Sequence, residues 1–174
     1  MIVPSKLLAI AVCGMAMLVA MPHMARADDA KELDSYMLAS DEFVDRPVGE
    51  KDAVFYASDP KLLDAKLKEY GQKFPDNMTF PQGGLFILVI SDHVDQSFSS
   101  VSAIAAKHQL VVDLSADKDA KPPRASDEKH KTSRMLLICC QPVKGVKSFA
   151  LKTADGVRHD VPSTQEKGDV RPQH

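Results

Sequence analysis

Three short, mainly apolar segments constrain the fold of this chain more than any other feature of its sequence. They cover residues 85–90, 110–114 and 135–140, and turn-forming or polar residues flank them. A strand that is covered on both faces has this pattern, whereas a buried helix needs a longer segment. The three segments therefore predict buried strands of the kind found in a parallel sheet.

Helical patterns lie between the strands. After a short strand candidate at residues 53–56, Asp59 can accept the free N–H groups of a helix start and Pro60 fits its first turn. A second helix is predicted over residues 96–108, where apolar residues recur at helical spacing. The predicted buried faces are Leu63, Leu67 and Tyr70 in the first helix, and Phe98, Val101, Ile104 and Ala105 in the second.

This order of elements predicts a single α/β domain. Its mixed β-sheet has a β-α-β-α-β core and a C-terminal β-hairpin, whose turn is Ala154-Asp155-Gly156. The layout is compatible with a thioredoxin-like arrangement. However, the strand-to-helix turn at residues 91–96 contains no Cys-x-x-Cys motif, so the layout implies no redox function.

Residues 1–27 are predicted to form a cleavable signal peptide. Lys6 precedes an uncharged, mostly apolar segment, and Ala25-Arg26-Ala27 has the small-x-small pattern of a cleavage site. A spanning helix needs roughly 20 apolar residues, whereas this segment is shorter and ends at Pro22. Cleavage is favoured over anchoring, so we expect an exported bacterial protein, periplasmic or secreted, without a stable membrane span.

The remaining chain divides into three parts by composition. Residues 28–52 are interpreted as a polar N-terminal lead with one short helix at most. Residues 53–161 are the predicted α/β domain, which includes a long charged loop at residues 115–134. Residues 162–174 are polar and are predicted to be a disordered tail.

Charge argues against nucleic acid as a partner. The predicted signal holds two basic residues and no acid, so the chain from residue 28 onward has a formal charge of −4. Phosphate binding needs a basic face. The chain also contains no tryptophan, which weakens the case for stacking on bases or sugars.

The first candidate for a chemical role is the group Asp92, His93 and Asp95. It follows a predicted buried strand and precedes a predicted helix, where ligands of open α/β sheets gather and anions bind. These side chains could also hold a metal or act as acid and base. The simpler interpretation is favoured: one aspartate caps the helix, the other interacts with the helix dipole, and the histidine is an exposed loop residue.

The second candidate is the pair Cys139 and Cys140. Adjacent Cα atoms lie about 3.8 Å apart, below the usual disulfide range of about 4.4–6.8 Å. In a regular strand the two side chains point to opposite faces. Inert core cysteines are therefore favoured over a redox, metal-binding or intermolecular role.

Two further sets of residues have weaker patterns. Lys121, Arg124, Lys129 and Lys131 lie in the charged loop, where they would dock an acidic partner, although a solvated flexible loop is the favoured interpretation. The histidines lack metal-ligand spacing, so neither a metal nor a cofactor is expected, although two or three could assemble in space. They are His93, His108, His130, His159 and His174.

The chain lacks the usual enzyme signatures, such as Gly-x-Ser-x-Gly, a phosphate-binding glycine loop or His-Glu-x-x-His. The leading hypothesis is a small exported protein of the bacterial envelope. It would be a non-enzymatic binding or accessory module for another envelope protein. The alternative is a thioredoxin-like thiol-redox or metal-handling periplasmic protein that uses Cys139 and Cys140.

Overall fold

The computed structural model describes residues 30–74, 82–120 and 129–167. These residues are mostly β-sheet and form two mixed sheets, with one short α-helix. The predicted β-α-β-α-β core is therefore wrong. In chain order the elements are β1 (Ala30–Leu33), β2 (Ser35–Pro47), β3 (Ala53–Ala57), a 3₁₀ turn (Pro60–Leu63), α1 (Asp64–Glu69), β4 (Leu85–Ser91), β5 (Gln96–Ile104), a 3₁₀ turn (Ala105–Lys107), β6 (Gln109–Ala116), β7 (His130–Cys140), β8 (Ser148–Lys152), β9 (Arg158–Val161) and β10 (Ser163–Gln165).

The strands form two five-stranded sheets, and the chain crosses between them several times. Sheet 1 has the order β1-β5-β6-β8-β9, and sheet 2 has the order β10-β3-β4-β7-β2. Each sheet has one parallel pair, β6 with β8 and β10 with β3, and its other pairs are antiparallel.

The chain passes directly from one sheet to the other at both edges. Asp34 separates β1 from β2, and its carbonyl accepts the Gln141 N–H at 2.9 Å. Pro162 separates β9 from β10, and its carbonyl accepts the Val54 N–H at 2.9 Å. The edge strands are thus continuous between the sheets, and these crossing points hold the two sheets together.

The main core lies between the two sheets. Tyr56 of sheet 2 contacts Phe149 of sheet 1, with ring centroids 4.9 Å apart. The buried side chains of this core are Leu33, Val54, Tyr56, Leu85, Ile87, Val89, Val101, Leu110, Val112, Leu114, Leu136, Ile138, Cys140, Phe149, Leu151 and Val161.

The helix covers the outer face of sheet 2. The predicted cap is present, because the Asp59 carboxylate accepts the Lys61 N–H at 2.9 Å. Leu63 and Leu67 pack there against Phe86, Leu88 and other residues of the sheet. Strand β4 is therefore buried on both faces, by the facing sheet and by the helix. This is why its sequence resembles a strand of a parallel sheet, although both of its neighbours are antiparallel.

The predicted second helix is a β-strand. The register of β5 shifts between Phe98 and Ser100, as a β-bulge does. The bulge inserts one residue, so that Phe98 and Val101 both pack into the core between the sheets. Their spacing of three residues imitates a helical period, which explains the wrong prediction.

Other boundaries also differ from those expected. The segment interpreted as a polar lead contains β1 and β2, and two register shifts in β2 interrupt the alternation that would mark it as a strand. The charged loop is shorter than residues 115–134, because β6 continues to Ala116 and β7 begins at His130. The tail contributes β10. The predicted hairpin is present as β8 and β9.

Within the described ranges, no helix has the length and apolar character that a membrane crossing requires. The predicted signal peptide and residues 168–174 lie outside those ranges.

Candidate functional site

An open cleft of about 380 Å³ lies where two connecting segments and strand β9 meet. Asp52 comes from the segment before β3, His93 from the turn between β4 and β5, and His159 from β9. The first segment leads into sheet 2, the turn that holds His93 connects sheet 2 to sheet 1, and β9 belongs to sheet 1, so the cleft lies where the two sheets meet.

The two histidines converge on a single carboxylate oxygen. His159 Nε2 is 3.3 Å from Asp52 Oδ2, and His93 Nε2 is 3.8 Å from the same oxygen. The Asp52 side chain is 12% exposed, whereas those of His93 and His159 are 34% and 37% exposed. One ligand atom from each residue lies within 4.8 Å of the other two.

The backbone fixes the orientation of Asp52. The Asp92 N–H donates to Asp52 Oδ1 at 2.8 Å. This hydrogen bond leaves Oδ2 directed toward the histidines. A ligand whose second oxygen is held by a donor is already oriented, which is a common arrangement around protein metal sites.

The Asp92 side chain is held in turn by a network that starts in the protein interior. Arg46 Nη2 and Ser133 Oγ donate to Asp92 Oδ1 at 2.8 and 2.9 Å, and the Lys131 ammonium donates to Oδ2. Arg46 is 1% exposed and also donates to Ser133 Oγ and to the Lys51 carbonyl. Partial burial acts to raise the pKa of Asp92, but the hydrogen bonds from Lys131, Ser133 and Arg46 outweigh it and lower that pKa.

The resulting donor set is two imidazole nitrogens and one carboxylate oxygen. Around a tetrahedral Zn²⁺ with bonds of about 2.0–2.1 Å, ligand atoms lie roughly 3.3 Å apart. The Asp52–His159 separation of 3.3 Å matches this value, and the Asp52–His93 separation of 3.8 Å is slightly longer. The cluster therefore has the donors and the geometry to bind a divalent transition-metal ion.

Sequence reasoning named His93 in the first candidate group and His159 among the histidines that could assemble in space, but it did not name Asp52. The reason is distance along the chain, since Asp52 and His159 are 107 residues apart. Asp52 was assigned to a polar lead, and His159 lay in a predicted hairpin with no neighbouring ligand. The expectation that histidines could assemble in space covers His93 and His159, whereas no local pattern points to Asp52.

The interpretation of Asp92 and Asp95 as helix-capping residues is wrong, because strand β5 follows them rather than a helix. The carboxylate of Asp92 binds basic residues instead. Asp95 uses its backbone carbonyl to accept the Asp117 N–H at 2.8 Å. It is not one of the three residues of the cluster.

The two cysteines lie in different cores. Cys139 packs in the core beneath the helix and Cys140 in the core between the sheets, so the side chains point to opposite faces of sheet 2. Both are free thiols. Burial, with the nearby Cys139 adding to it, raises the pKa of the Cys140 thiol to about 12. Burial also raises the pKa of Cys139, although a hydrogen bond with Tyr36 acts to lower it.

The proposed docking residues separate into two groups. Lys121 and Arg124 lie outside the described residues. Lys131 is on β7, where its ammonium binds the Asp92 carboxylate and the Glu50 carbonyl. Lys129 accepts the Val48 N–H through its backbone carbonyl at 2.9 Å. Lys131 is therefore part of the network behind the cleft rather than of the predicted charged loop.

Of the other described histidines, neither His108 nor His130 lines the cleft. His108 ends a 3₁₀ turn in the left-handed conformation, and His130 begins β7. His174 is outside the described residues.

No protein-family model, curated protein or solved structure matches this chain.

Proposed function

We propose that this chain is a small exported, non-enzymatic binding protein whose ligand is a divalent transition-metal ion such as Zn²⁺. The observation that carries the proposal is the convergence of Asp52, His93 and His159 in an open cleft, with ligand atoms within 4.8 Å of one another. They come from two connecting segments and one strand that are far apart in the sequence, so local sequence preferences do not explain their meeting.

The donor chemistry selects the class of ion. Imidazole nitrogen suits Zn²⁺, Cu²⁺, Fe²⁺ and Ni²⁺, whereas Ca²⁺ and Mg²⁺ prefer a full set of oxygen ligands. The Asp92 N–H that holds Asp52 Oδ1 supports the same interpretation, because it orients the one carboxylate ligand before an ion arrives.

Export and an envelope partner remain part of the proposal. Support for export comes from the features of residues 1–27, and the mildly acidic remainder of the chain is compatible with a protein partner. The alternative role in thiol chemistry or metal handling through Cys139 and Cys140 has less support. Both thiols are buried, and they face opposite sides of a sheet.

Metal titration of the purified protein tests the proposal. Isothermal titration calorimetry should show one Zn²⁺ per chain, and Asp52→Asn, His93→Ala and His159→Ala should each weaken binding by more than about tenfold. His130→Ala is the matched control, because His130 lies outside the cleft, and it should bind Zn²⁺ like the wild type. Absence of Zn²⁺ binding, or binding that survives all three substitutions, would falsify the metal-binding function.

A further inference from the structure

We infer that a metal ion bound by Asp52, His93 and His159 keeps one coordination position open toward the cleft, and that this position takes the carboxylate of a small molecule. The inference rests on the proposed function, since it requires the metal to bind there. It goes further because it names a second ligand and its chemical class.

The protein supplies three donors, and Zn²⁺ sites with three protein ligands complete their coordination with water or an exogenous ligand. Two other acidic residues that line the cleft have partners already. Asp92 binds Arg46, Ser133 and Lys131. Asp160 accepts the Gln109 side-chain amide at 2.7 Å.

Glu50 is the remaining acidic residue that lines the cleft, and its carboxylate is a poor competitor for the open coordination position of the metal. Its side chain is 47% exposed, and its Oε2 is 3.9 Å from Arg46 Nη1. To coordinate the metal it would have to leave this buried guanidinium and give up side-chain entropy. An exogenous ligand therefore has the better access to the open position.

Space and exposure also favour an external ligand. The cleft measures about 380 Å³, which is room for a small organic molecule beside the metal. Both imidazoles are about one-third exposed, so the metal would be reached from solvent through the open side of the cleft.

Charge selects an anion. A divalent ion bound by two neutral imidazoles and one carboxylate has a net charge of +1. Lys51 also lines the cleft and is exposed. Within the part of the chain that the structure describes, its ammonium has no ion-pair partner. Arg46 donates a hydrogen bond to the backbone carbonyl of Lys51 and does not involve its side chain. A carboxylate would bind the metal and be attracted by this ammonium, whereas a neutral amide would gain neither charge interaction.

Cobalt substitution provides the test, because the visible spectrum of protein-bound Co²⁺ reports its coordination. The Co²⁺-loaded protein should change its spectrum saturably on titration with acetate, and should not respond to acetamide at the same concentrations. Lys51→Ala, compared at saturating Co²⁺, should weaken acetate binding roughly two- to five-fold, the size expected for one exposed charge.

The outcomes separate the inference from the function on which it rests. If Co²⁺ does not bind, the proposed function fails. If Co²⁺ binds and acetate leaves its spectrum unchanged, the function stands and the open position is refuted. A changed Co²⁺ spectrum in Glu50→Gln without acetate would show that Glu50 fills the position, and a response to inorganic phosphate but not to acetate would refute the carboxylate class.

Discussion

At the residue scale, Asp92 connects the interior of the protein to the cleft. Its side chain binds the buried Arg46, and its backbone N–H holds Asp52. Asp92 was a weak candidate for acid–base or metal chemistry in the sequence. The structure gives it a positioning role instead, because its own carboxylate is engaged by basic residues.

We expect Asp92→Asn to lower the free energy of unfolding at pH 7 by about 1–3 kcal/mol. Loss of a fully buried ion pair would lower the free energy of unfolding by more. The Asp92 side chain is 38% exposed, however, and solvent screens its charge. Since folding lowers the pKa of Asp92, its contribution is present above the unfolded pKa of about 3.9 and is lost as the pH falls through the folded value.

Urea unfolding of both proteins between about pH 7 and pH 3 measures this contribution. The difference between wild type and Asp92→Asn should shrink at the acidic end. Asp45→Asn is a suitable control, because Asp45 is exposed on the same strand as Arg46. A difference that stays constant with pH would show that the Asp92 charge does not contribute to stability.

The cysteines give a second residue-scale prediction. The raised pKa of Cys140, about 12, leaves almost no thiolate at pH 8, and the thiolate is the reactive form. In a thiol-reagent assay of the native protein at pH 8, wild type and Cys140→Ala should show the same number of reactive thiols per chain. In denaturant the variant should give one thiol fewer. A higher native count for the wild type would mean that Cys140 is accessible.

At the scale of elements, the sequence predicted those parts whose pattern is local. The helix start at Asp59-Pro60 and strands β3, β4 and β6 are present near the predicted positions. The C-terminal hairpin is also present. Capping residues, short apolar stretches and turns define these elements within a few residues. They can therefore be predicted without knowledge of the tertiary contacts.

The errors at this scale arose where tertiary structure altered a local pattern. The bulge in β5 gave a strand the spacing of a helix, and β2 combines acidic residues with the buried Arg46. The burial of β4 on both faces was predicted correctly, but its cause was not. An antiparallel sheet covered by a second sheet and a helix produces the same sequence as a covered parallel strand.

The role of α1 as a cover for sheet 2 can be measured. Leu67 is 2% exposed and packs in the core under the helix. Leu67→Ala should therefore cost about 2–5 kcal/mol in urea unfolding. Lys68→Ala on the exposed side of the same helix should change the free energy by no more than about 0.5 kcal/mol. Equal effects of the two substitutions would contradict the packing of this helix against the sheet.

At the scale of the whole molecule, the cluster of Asp52, His93 and His159 brings together residues from both sheets and their connections. His159 lies on β9 of sheet 1, Asp52 precedes β3 of sheet 2, and His93 lies in the turn from β4 of sheet 2 to β5 of sheet 1. The sequence could not indicate this meeting, because it does not show which strands are neighbours in each sheet. Only the folded topology brings ligands 107 residues apart to the same carboxylate oxygen.

Metal binding should therefore stabilise the entire domain. A ligand that binds only the folded state at 100 times its Kd adds about 2.7 kcal/mol to the free energy of unfolding. For a domain of this size we expect Zn²⁺ to raise the Tm by roughly 5–10 °C. Excess chelator should reverse the shift, and Mg²⁺ at the same concentration should not produce it.

His159→Ala tests whether the ligand on sheet 1 is needed for this stabilisation. The variant retains Asp52, which precedes β3 of sheet 2, and His93, which lies in the turn between β4 of sheet 2 and β5 of sheet 1, and it loses the ligand on β9 of sheet 1. If the metal stabilises the protein through this cluster, Zn²⁺ should raise the Tm of this variant by about half as much as that of the wild type or less, at the concentration that saturates the wild type. An undiminished shift would place the stabilising ion elsewhere in the molecule, since the removed imidazole is the one closest to Asp52 Oδ2 in the cluster.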